Sequence, residues 1–166
     1  MHNGGKILAV LGWREWMALP QLGVRLIKAK VDTGARSSCL HALDIEEYRK
    51  NGADWVRFRI QVAPGRLRAL KQPVVDRREV RDSGGHRTVR PFIRTRLQLG
   101  GAEWPIELNL ATRTDMLFSM LLGRTAIMGR FLVDPGRSYV CGDYEDSAQL
   151  PLPLPAPFCV MQEARQ

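Results

Sequence analysis

The stretch VRLIKAKVDTGARSSCLHA (residues 24–42) decides the fold of this chain. Apolar and basic residues alternate up to Asp32, with one slip of phase at Leu26-Ile27, which is typical of a half-buried β-strand. Thr33 and Gly34 follow as a tight loop, in which the glycine allows close backbone approach and the hydroxyl can hydrogen-bond to neighbouring loops. An Asp-x-Gly turn is common by itself, so a functional role for Asp32 needs support from the rest of the chain.

The remaining sequence predicts further strands joined by Gly-bearing turns. WVRFRIQVAP (55–64) alternates cleanly, and hairpins are predicted at 78–93, with a tip at Asp82-Ser83-Gly84-Gly85, and at 92–110, with a turn at Gly100-Gly101. SMLLGRTAIMGRFLVDP (119–135) predicts an apolar strand, a short helix and a last strand, and LDIEEYRKN (43–51) predicts a short helix. We therefore expect a mostly β fold, a small closed barrel with one or two short helices.

The length of 166 residues fits one domain followed by a tail. We assign residues 1–147 to the β domain, because no internal repeat or linker interrupts them. LPLPLPAPF (150–158) predicts an extended, polyproline-like segment within a tail at 148–166, which is either draped or disordered or serves as a docking peptide.

The charge of the chain points to anionic partners. The formal net charge is +8 and the pI is about 10.0, with arginine as the main cation. Such a field favours acidic peptides, nucleic acid or anionic surfaces, and arginine pairs bidentately with carboxylate or phosphate. Nucleic-acid binding is the less favoured class, because Trp55, Phe58 and Phe92 follow the apolar pattern and are predicted in the core.

The sequence also bears on location and redox state. No stretch reaches the roughly 20 apolar residues that span a bilayer, and the start has no A-x-A-like cleavage site. We therefore expect no membrane association and a cytoplasmic protein. The odd number of cysteines (Cys39, Cys141 and Cys159) predicts free thiols rather than a disulfide framework.

Three further features together identify a family resemblance. Downstream of Asp32 lie a Gly-tipped hairpin, a second hairpin and the apolar-apolar-Gly strand MLLG (120–123), the order found in retropepsin-type aspartic proteases. More closely, residues 12–42, MLLGRTAI (120–127) and RFLVDP (130–135) resemble a bacterial family of retropepsin-like endopeptidases, also called "ATP-dependent zinc proteases". The resemblance runs from about Lys6 to Val140. This family is often encoded beside an ATP-grasp ligase that adds glutamates to a ribosomal protein, which implies a functional link to such an enzyme.

The resemblance implies aspartic peptidase chemistry. Two carboxylates about 3 Å apart share a proton, so one serves as base toward water and the other as acid. Asp32 would supply one carboxylate, with Thr33 and Gly34 bracing its loop, and the hairpin would close over the substrate. The implied substrate-binding residues are Ala35, Arg36, Ser83, Gly84, Gly85, His86, Arg87 and Arg124.

The second carboxylate is left open by the sequence. A single D-T-G implies a homodimer in which each subunit contributes Asp32. The alternative is an in-chain partner, Asp115 or Asp134. The viral pattern pairs an acidic residue or Asn after D-T-G-A with a later arginine, but here both positions, Arg36 and Arg124, are basic, so that bridge cannot form. These arginines would instead pair with Asp115 or Asp134, or bind substrate carboxylates. The second option fits the basic residues of the predicted hairpin, Arg78, Arg81, Arg87 and Arg90.

The expected activity is therefore an aspartic endopeptidase that acts on an acidic, glutamate-rich protein segment. The alternative is a non-catalytic basic module that docks acidic tails on the same fold.

The family label mentions zinc and ATP, but the sequence contains no common motif for binding either of them. There is no H-E-x-x-H and no G-x-x-x-x-G-K-[ST] loop. A metal site from Cys39, His41 and His86 would require the fold to bring distant residues together, and a structural role for His41 is favoured. We expect no cofactor and no metal.

Overall fold

The computed structural model describes residues 8–113 and 117–142, which form twelve strands and two short helical segments. A 3₁₀ turn covers Pro20–Leu22, and one α-helical turn, α1, covers Arg124–Ile127. The strands are β1 (Ala9–Gly12), β2 (Arg14–Leu19), β3 (Val24–Asp32), β4 (Ser38–His41), β5 (Leu43–Lys50), β6 (Ala53–Ala63), β7 (Arg66–Pro73), β8 (Asp76–Arg81), β9 (Arg87–Leu99), β10 (Ala102–Ala111), β11 (Met120–Gly123) and β12 (Phe131–Asp134).

The expectation of a mostly β fold is confirmed. Seven strands pair in the order β10-β4-β11-β3-β2-β9-β8, a second sheet is β5-β6-β7, and β1 pairs with β12 in parallel. β9 also pairs with β10, so the strand order returns to its start. The sheets nevertheless do not form one regular closed barrel, because β2 meets β9 at a single residue pair, Ala18 with Gln98, and the three-stranded sheet stands apart.

The centre of the large sheet positions the Asp32 loop. β11 lies between β3 and β4, parallel to β3 and antiparallel to β4. The register of β11 on β3 places Gly123 directly beside Asp32. The apolar-apolar-Gly strand of the sequence is therefore the neighbour of the D-T-G strand, although about ninety residues separate them in the chain.

The strand patterns read from the sequence are reproduced in the burial of side chains. Along β3, Ile27, Ala29 and Val31 are buried, and along β6 the residues of the predicted apolar face, such as Phe58, are buried while Arg57 and Arg59 are exposed. Phe92 also lies in the core, whereas Trp55 is only half-buried, with Lys50 Nζ 5.5 Å from the centre of its ring.

The helix predicted at residues 43–51 is wrong, because this segment is strand β5. β5 pairs with β6 and is half-exposed along its length. Its acidic residues face arginines of neighbouring strands: Glu46 pairs with Arg57, and Asp44 pairs with Arg59. Tertiary pairing thus overrode a polar, helix-like local composition.

The other predicted elements stand where the sequence placed them. Both hairpins are present, as β8–β9 and β9–β10, and α1 lies between the two strands predicted in the segment 119–135. The Pro-rich tail and its boundary at 147/148 lie outside the described residues. Within 8–113 and 117–142 no helix is long and apolar enough to cross a membrane.

A buried carboxylate that the sequence did not reveal ties the last described segment to the first strands. Glu15 is fully buried, and its carboxylate accepts backbone N–H groups from Gly12 at 2.6 Å, Val140 at 2.9 Å and Cys141 at 3.2 Å. Three donors from two distant segments converge on one side chain, so this contact holds residues 137–141 against β1 and β2.

We expect Glu15→Gln to lower the free energy of unfolding by about 2–3 kcal/mol, because the amide nitrogen would face backbone N–H donors and leave them unsatisfied. The measurement is urea unfolding of purified protein. The control is Glu103→Gln, which removes an exposed ion pair with Arg96 and should cost under about 1 kcal/mol. Equal losses for the two variants would contradict the role given to Glu15.

Candidate active site

The Asp32 loop, residues 32–37, begins where β3 ends. Asp32 Oδ1 accepts the backbone N–H groups of Gly34 and Ala35, both at 3.1 Å. Among the described residues no donor is bonded to Oδ2. The carboxylate is half-buried, so one oxygen is fixed by its own loop and the other is left for a group outside the loop.

The start of α1 clamps this loop through backbone atoms. Arg124 N–H donates to Ala35 O at 2.9 Å, and Thr125 donates to Arg36 O from its N–H at 3.2 Å and from its hydroxyl at 2.8 Å. The Arg124 guanidinium donates to Gly34 O at 3.1 Å. Arg124 therefore supports the loop, and within the described part of the chain it forms no ion pair with a carboxylate.

Gly123 is needed because two chain segments approach closely at this point. A Cβ on Gly123 would stand 2.6 Å from Ser37 O and 2.8 Å from Ser38 N, distances that real Cβ atoms do not adopt. Its N–H donates to the buried Ser38 hydroxyl at 3.0 Å. The glycine therefore allows β11 to press against the end of the Asp32 loop.

A cavity of about 760 Å³ lies between this loop and the β8–β9 hairpin. At the hairpin tip, Asp82 N–H donates to His86 O at 2.9 Å, and the Asp82 carboxylate accepts His86 N–H at 3.0 Å. This bond from the His86 backbone is the main cause that lowers the pKa of Asp82. The hairpin thus has an ordered tip beside the cavity that contains Asp32.

The sequence-predicted site residues divide into two groups by their position. Those that line the cavity are Asp32, Gly34, Ala35, Arg36 and Ser83. Those that do not line it are Thr33, Gly84, Gly85, His86, Arg87 and Arg124. Thr33 is exposed at the surface of the loop, and the Arg87 guanidinium bonds Glu79 at 3.1 Å.

The cavity wall carries more cations than carboxylates. The cationic residues are Lys30, Arg36, Arg78, Arg81, Arg90 and Arg113, and the acidic residues are Asp32, Glu79 and Asp82. Arg78 is neutralised by Asp76 and Glu107, each at 2.6 Å. The excess of positive charge makes the cavity suited to an anionic ligand.

The sequence indicated Arg90 only as one of the basic hairpin residues and Cys39 only as a conceivable metal ligand, and it missed Asn109 and Arg113. These four residues line the cavity together. They come from β4, β9, β10 and the residues after β10, so no local pattern joins them. Burial raises the pKa of the Cys39 thiol, and the nearby Arg90 and Arg113 only partly offset this effect. Cys39 is therefore a neutral thiol at neutral pH.

The in-chain candidates for a second carboxylate are not among the described cavity residues. Asp115 lies outside the described part of the chain. Asp134 pairs alongside Gly12 on the separate two-stranded sheet, and its carboxylate accepts Gly136 N–H at 2.9 Å.

The histidines and cysteines that the structure describes do not gather into a ligand set. His41 Nδ1 accepts Arg113 N–H at 3.0 Å, while His86 lies at the hairpin tip. Within residues 8–113 and 117–142 no group of three His, Cys, Asp or Glu side chains is placed to hold a metal ion. A site from Cys39, His41 and His86 is therefore not formed in this fold.

The strand order around Asp32, the glycine that closes its loop and the hairpin beside it define a retropepsin-like architecture. The model of the RimB-like family, described as retropepsin-like aspartic endopeptidase RimB, matches residues 10–143. This chain belongs to that family. The resemblance read from the sequence is confirmed.

Relatives of known sequence carry a different name. Proteins called probable alpha-L-glutamate ligase match this chain: from Shewanella pealeana with 40% identity over 82% of the chain, from Desulfotalea psychrophila with 39% over 81%, and from Parasynechococcus marenigrum with 42% over 81%. The chain spans only about a third of their length, 31%, 30% and 29% respectively.

A solved structure shares the fold. The crystal structure of a protein of unknown function from Legionella pneumophila superposes with a TM-score of 0.67 at 29% identity. The match covers 80% of this chain and 98% of that one, so nearly the whole of the Legionella protein corresponds to the β domain described here.

We expect Gly123→Ala to lower the free energy of unfolding by about 3 kcal/mol, because the added methyl group forces β11 away from Ser37 and Ser38. The measurement is chemical unfolding followed by tryptophan fluorescence. Gly136→Ala is the matched control, since its Cβ would meet only the Asp134 carboxylate at 3.3 Å. A Gly123→Ala protein as stable as the control would show that the close approach is not required.

Proposed function

We propose that this protein is an aspartic endopeptidase that hydrolyses peptide bonds in acidic protein segments, with Asp32 activating water. The observation that carries the proposal is the position of Asp32. Its carboxylate lies in a cationic cavity between a clamped loop and an ordered hairpin, in a chain of the retropepsin-like family.

The reaction requires a second carboxylate, and we infer that it is Asp32 of a second copy of the chain. Three observations support a homodimer. The loop that carries Asp32 has an exposed residue, Thr33, available to meet another chain. The other carboxylates of the cavity are engaged, Glu79 by Arg87 and Asp82 by the hairpin tip. Asp32 Oδ2 keeps its hydrogen-bonding capacity for a partner.

With two carboxylates the chemistry needs no covalent enzyme intermediate. The ionised Asp32 takes a proton from water as the water oxygen attacks the peptide carbonyl carbon, and the protonated Asp32 gives its proton to the carbonyl oxygen. The tetrahedral intermediate collapses when the C–N bond breaks: the amine leaves with the proton that the first carboxylate took from water, and the second carboxylate takes back a hydroxyl proton as the carbonyl group forms again. The β8–β9 hairpin, with Ser83 in the cavity wall, would exclude bulk water during these steps.

An acidic substrate follows from the charges of the cavity. Lys30, Arg36 and Arg81 line it and have no ion-pair partner within the described part of the chain. Their charge would be neutralised by glutamate or aspartate side chains of a bound segment. The basic character of the whole chain, +8, would favour the encounter.

A link to glutamate ligation is supported by the relatives. In proteins named probable alpha-L-glutamate ligase, a region similar to this chain occupies about a third of the polypeptide. We infer that the peptidase acts in the same system as such a ligase, on a glutamate-bearing chain. One activity would then form the peptide bonds that the other hydrolyses.

One observation favours the alternative, a non-catalytic module that docks acidic tails. Asp32 is the single D-T-G aspartate, and it is surrounded by guanidinium groups that would hold an acidic tail without cleaving it. Binding without product formation separates this function from the proposed one.

We expect Asp32→Asn to reduce cleavage of a glutamate-rich peptide by about a hundredfold or more, because the amide cannot accept the proton of water. The measurement is product formation by mass spectrometry. The Asp134→Asn variant should still cleave the peptide. Loss of cleavage in this variant would indicate that Asp134 supplies the second carboxylate.

Coexpression in equal amounts tests the shared site in the same assay. If each site needs Asp32 from two chains, mixing wild-type and Asp32→Asn subunits should leave about a quarter of the wild-type activity per total chain, against about half for chains that act alone. An active monomer in sedimentation would contradict the dimer.

Binding of the acidic peptide should weaken with salt and with loss of Arg36. We expect Arg36→Ala to raise KM severalfold with little change in kcat, since its charge attracts the substrate in ground and transition states alike. Arg25→Ala, at the far end of β3, is the control and should leave KM unchanged. Indifference of KM both to salt and to Arg36 would refute the acidic substrate.

A further inference from the structure

Arg90 is held in a fixed position by uncharged groups. Its Nε donates to the Thr88 hydroxyl at 2.9 Å, and its Nη1 donates to Asn109 Oδ1 at 3.2 Å and lies 3.8 Å from Cys39 Sγ. The side chain is half-buried in the wall of the Asp32 cavity. These bonds orient the guanidinium, but none of them neutralises its charge.

Arg78, the residue directly across the hairpin, differs from Arg90 in having carboxylate partners. Arg78 on β8 is paired in register with Arg90 on β9. Arg78 is bonded to two carboxylates, Asp76 and Glu107, whereas Arg90 has no carboxylate partner within the described residues. The protein therefore neutralises one arginine of this cross-strand pair itself, and it leaves the charge of Arg90 for an anion that comes from outside.

A second guanidinium approaches the same point. Arg113 lines the cavity next to Cys39, and no carboxylate pairs with it in the part of the chain that the structure describes. Burial keeps the Cys39 thiol neutral, so it supplies no counter-charge to either arginine. Two cations thus flank a small neutral side chain at the back of the cavity.

This group is mechanically connected to the Asp32 loop. The buried Asn109 that holds Arg90 donates its Nδ2–H to Ser38 O at 2.8 Å. The Ser38 hydroxyl in turn accepts the N–H of Gly123, the residue beside Asp32 in the sheet. The position of a ligand bound at Arg90 relative to Asp32 is therefore set by these hydrogen bonds and by the pairing of β11 with β3.

We propose that Arg90 and Arg113, on either side of Cys39, form a subsite that binds the side-chain carboxylate of one glutamate or aspartate of the substrate. The inference rests on the proposed function and deepens it, because it assigns the choice of an acidic side chain over its amide to a named pocket. Two guanidinium groups suit the two oxygens of a carboxylate, while an amide would present a donor to donors.

The test uses binding, so that it does not depend on cleavage. In the Asp32→Asn full-length protein, fluorescence anisotropy measures the affinity for a labelled glutamate oligomer. The same measurement is made for a series of labelled peptides, each with one glutamate of the oligomer replaced by glutamine. We expect one replacement position to cost about tenfold or more in affinity, and Arg90→Gln to abolish that difference. Arg96→Gln, on the same strand and paired with Glu103, should preserve it.

Arg113→Gln provides a second route to the same result, and thermal melting establishes that each variant is folded. A difference between glutamate and glutamine peptides that survives in folded Arg90→Gln and Arg113→Gln would overturn the inference. An equal loss of affinity for all peptides would also overturn it, because it would mark a general electrostatic effect.

The failures of the two proposals are distinguishable. If wild-type protein cleaves no peptide yet Arg90 controls the glutamate preference, the peptidase activity fails and the subsite stands. If the protein cleaves peptides with no preference that depends on Arg90 or Arg113, the subsite fails and the activity stands.

Discussion

The structure depends on the contact between Gly123 and the end of the Asp32 loop. β11 can lie between β3 and β4 only if its last residue has no side chain, because the backbone of Ser37 and Ser38 occupies the space of a Cβ. Once Gly123 is seated, its N–H binds Ser38, and the following residues bind the carbonyl groups of Ala35 and Arg36. The orientation of the Asp32 carboxylate is therefore a consequence of backbone packing, and it does not need an ion pair between Arg36 and Arg124.

A second constraint is the unequal neutralisation of arginine. On the three-stranded sheet and the outer side of the hairpin, arginines meet carboxylates: Arg57 meets Glu46, Arg77 meets Glu47 and Asp54, and Arg78 meets Glu107. Such exposed pairs contribute little to stability and neutralise only the arginines that form them, since Arg66, Arg68 and Lys71 on β7 have no ion pair among the described residues.

The cavity that contains Asp32 is also lined by five cationic residues that form no ion pair with a described carboxylate: Lys30, Arg36, Arg81, Arg90 and Arg113. These unpaired cations line the same cavity as Asp32, which supports an acidic substrate more directly than the total charge of +8 does.

The names of the similar proteins can be related to this cationic cavity. The family model describes an endopeptidase, and the longer relatives carry the name of a glutamate ligase. The two names agree if the matched region is one part of a system that builds and removes acidic chains. A cationic cavity next to a retropepsin-like aspartate is the part that such removal would require.

From the sequence alone, local patterns were enough to locate the strand before Asp32, the hairpins and the helical turn after Gly123. Period-two alternation and glycine turns report on the immediate neighbourhood of each residue. The same local reasoning failed at residues 43–51, where acidic residues with helical composition form a strand because arginines of β6 lie opposite.

Only the tertiary structure decided which distant residues share a site. Cys39, Arg90, Asn109 and Arg113 come from separate elements and meet because β4 and β9 both pair with β10. The buried Glu15 likewise acquires its role from backbone donors more than 120 residues away. The sequence by itself thus determined most of the strands and turns and the position of Asp32 at a strand end, since these depend on neighbours in the chain. The charge balance and the walls of the cavity depend on strand pairing at long range, which no local pattern contains.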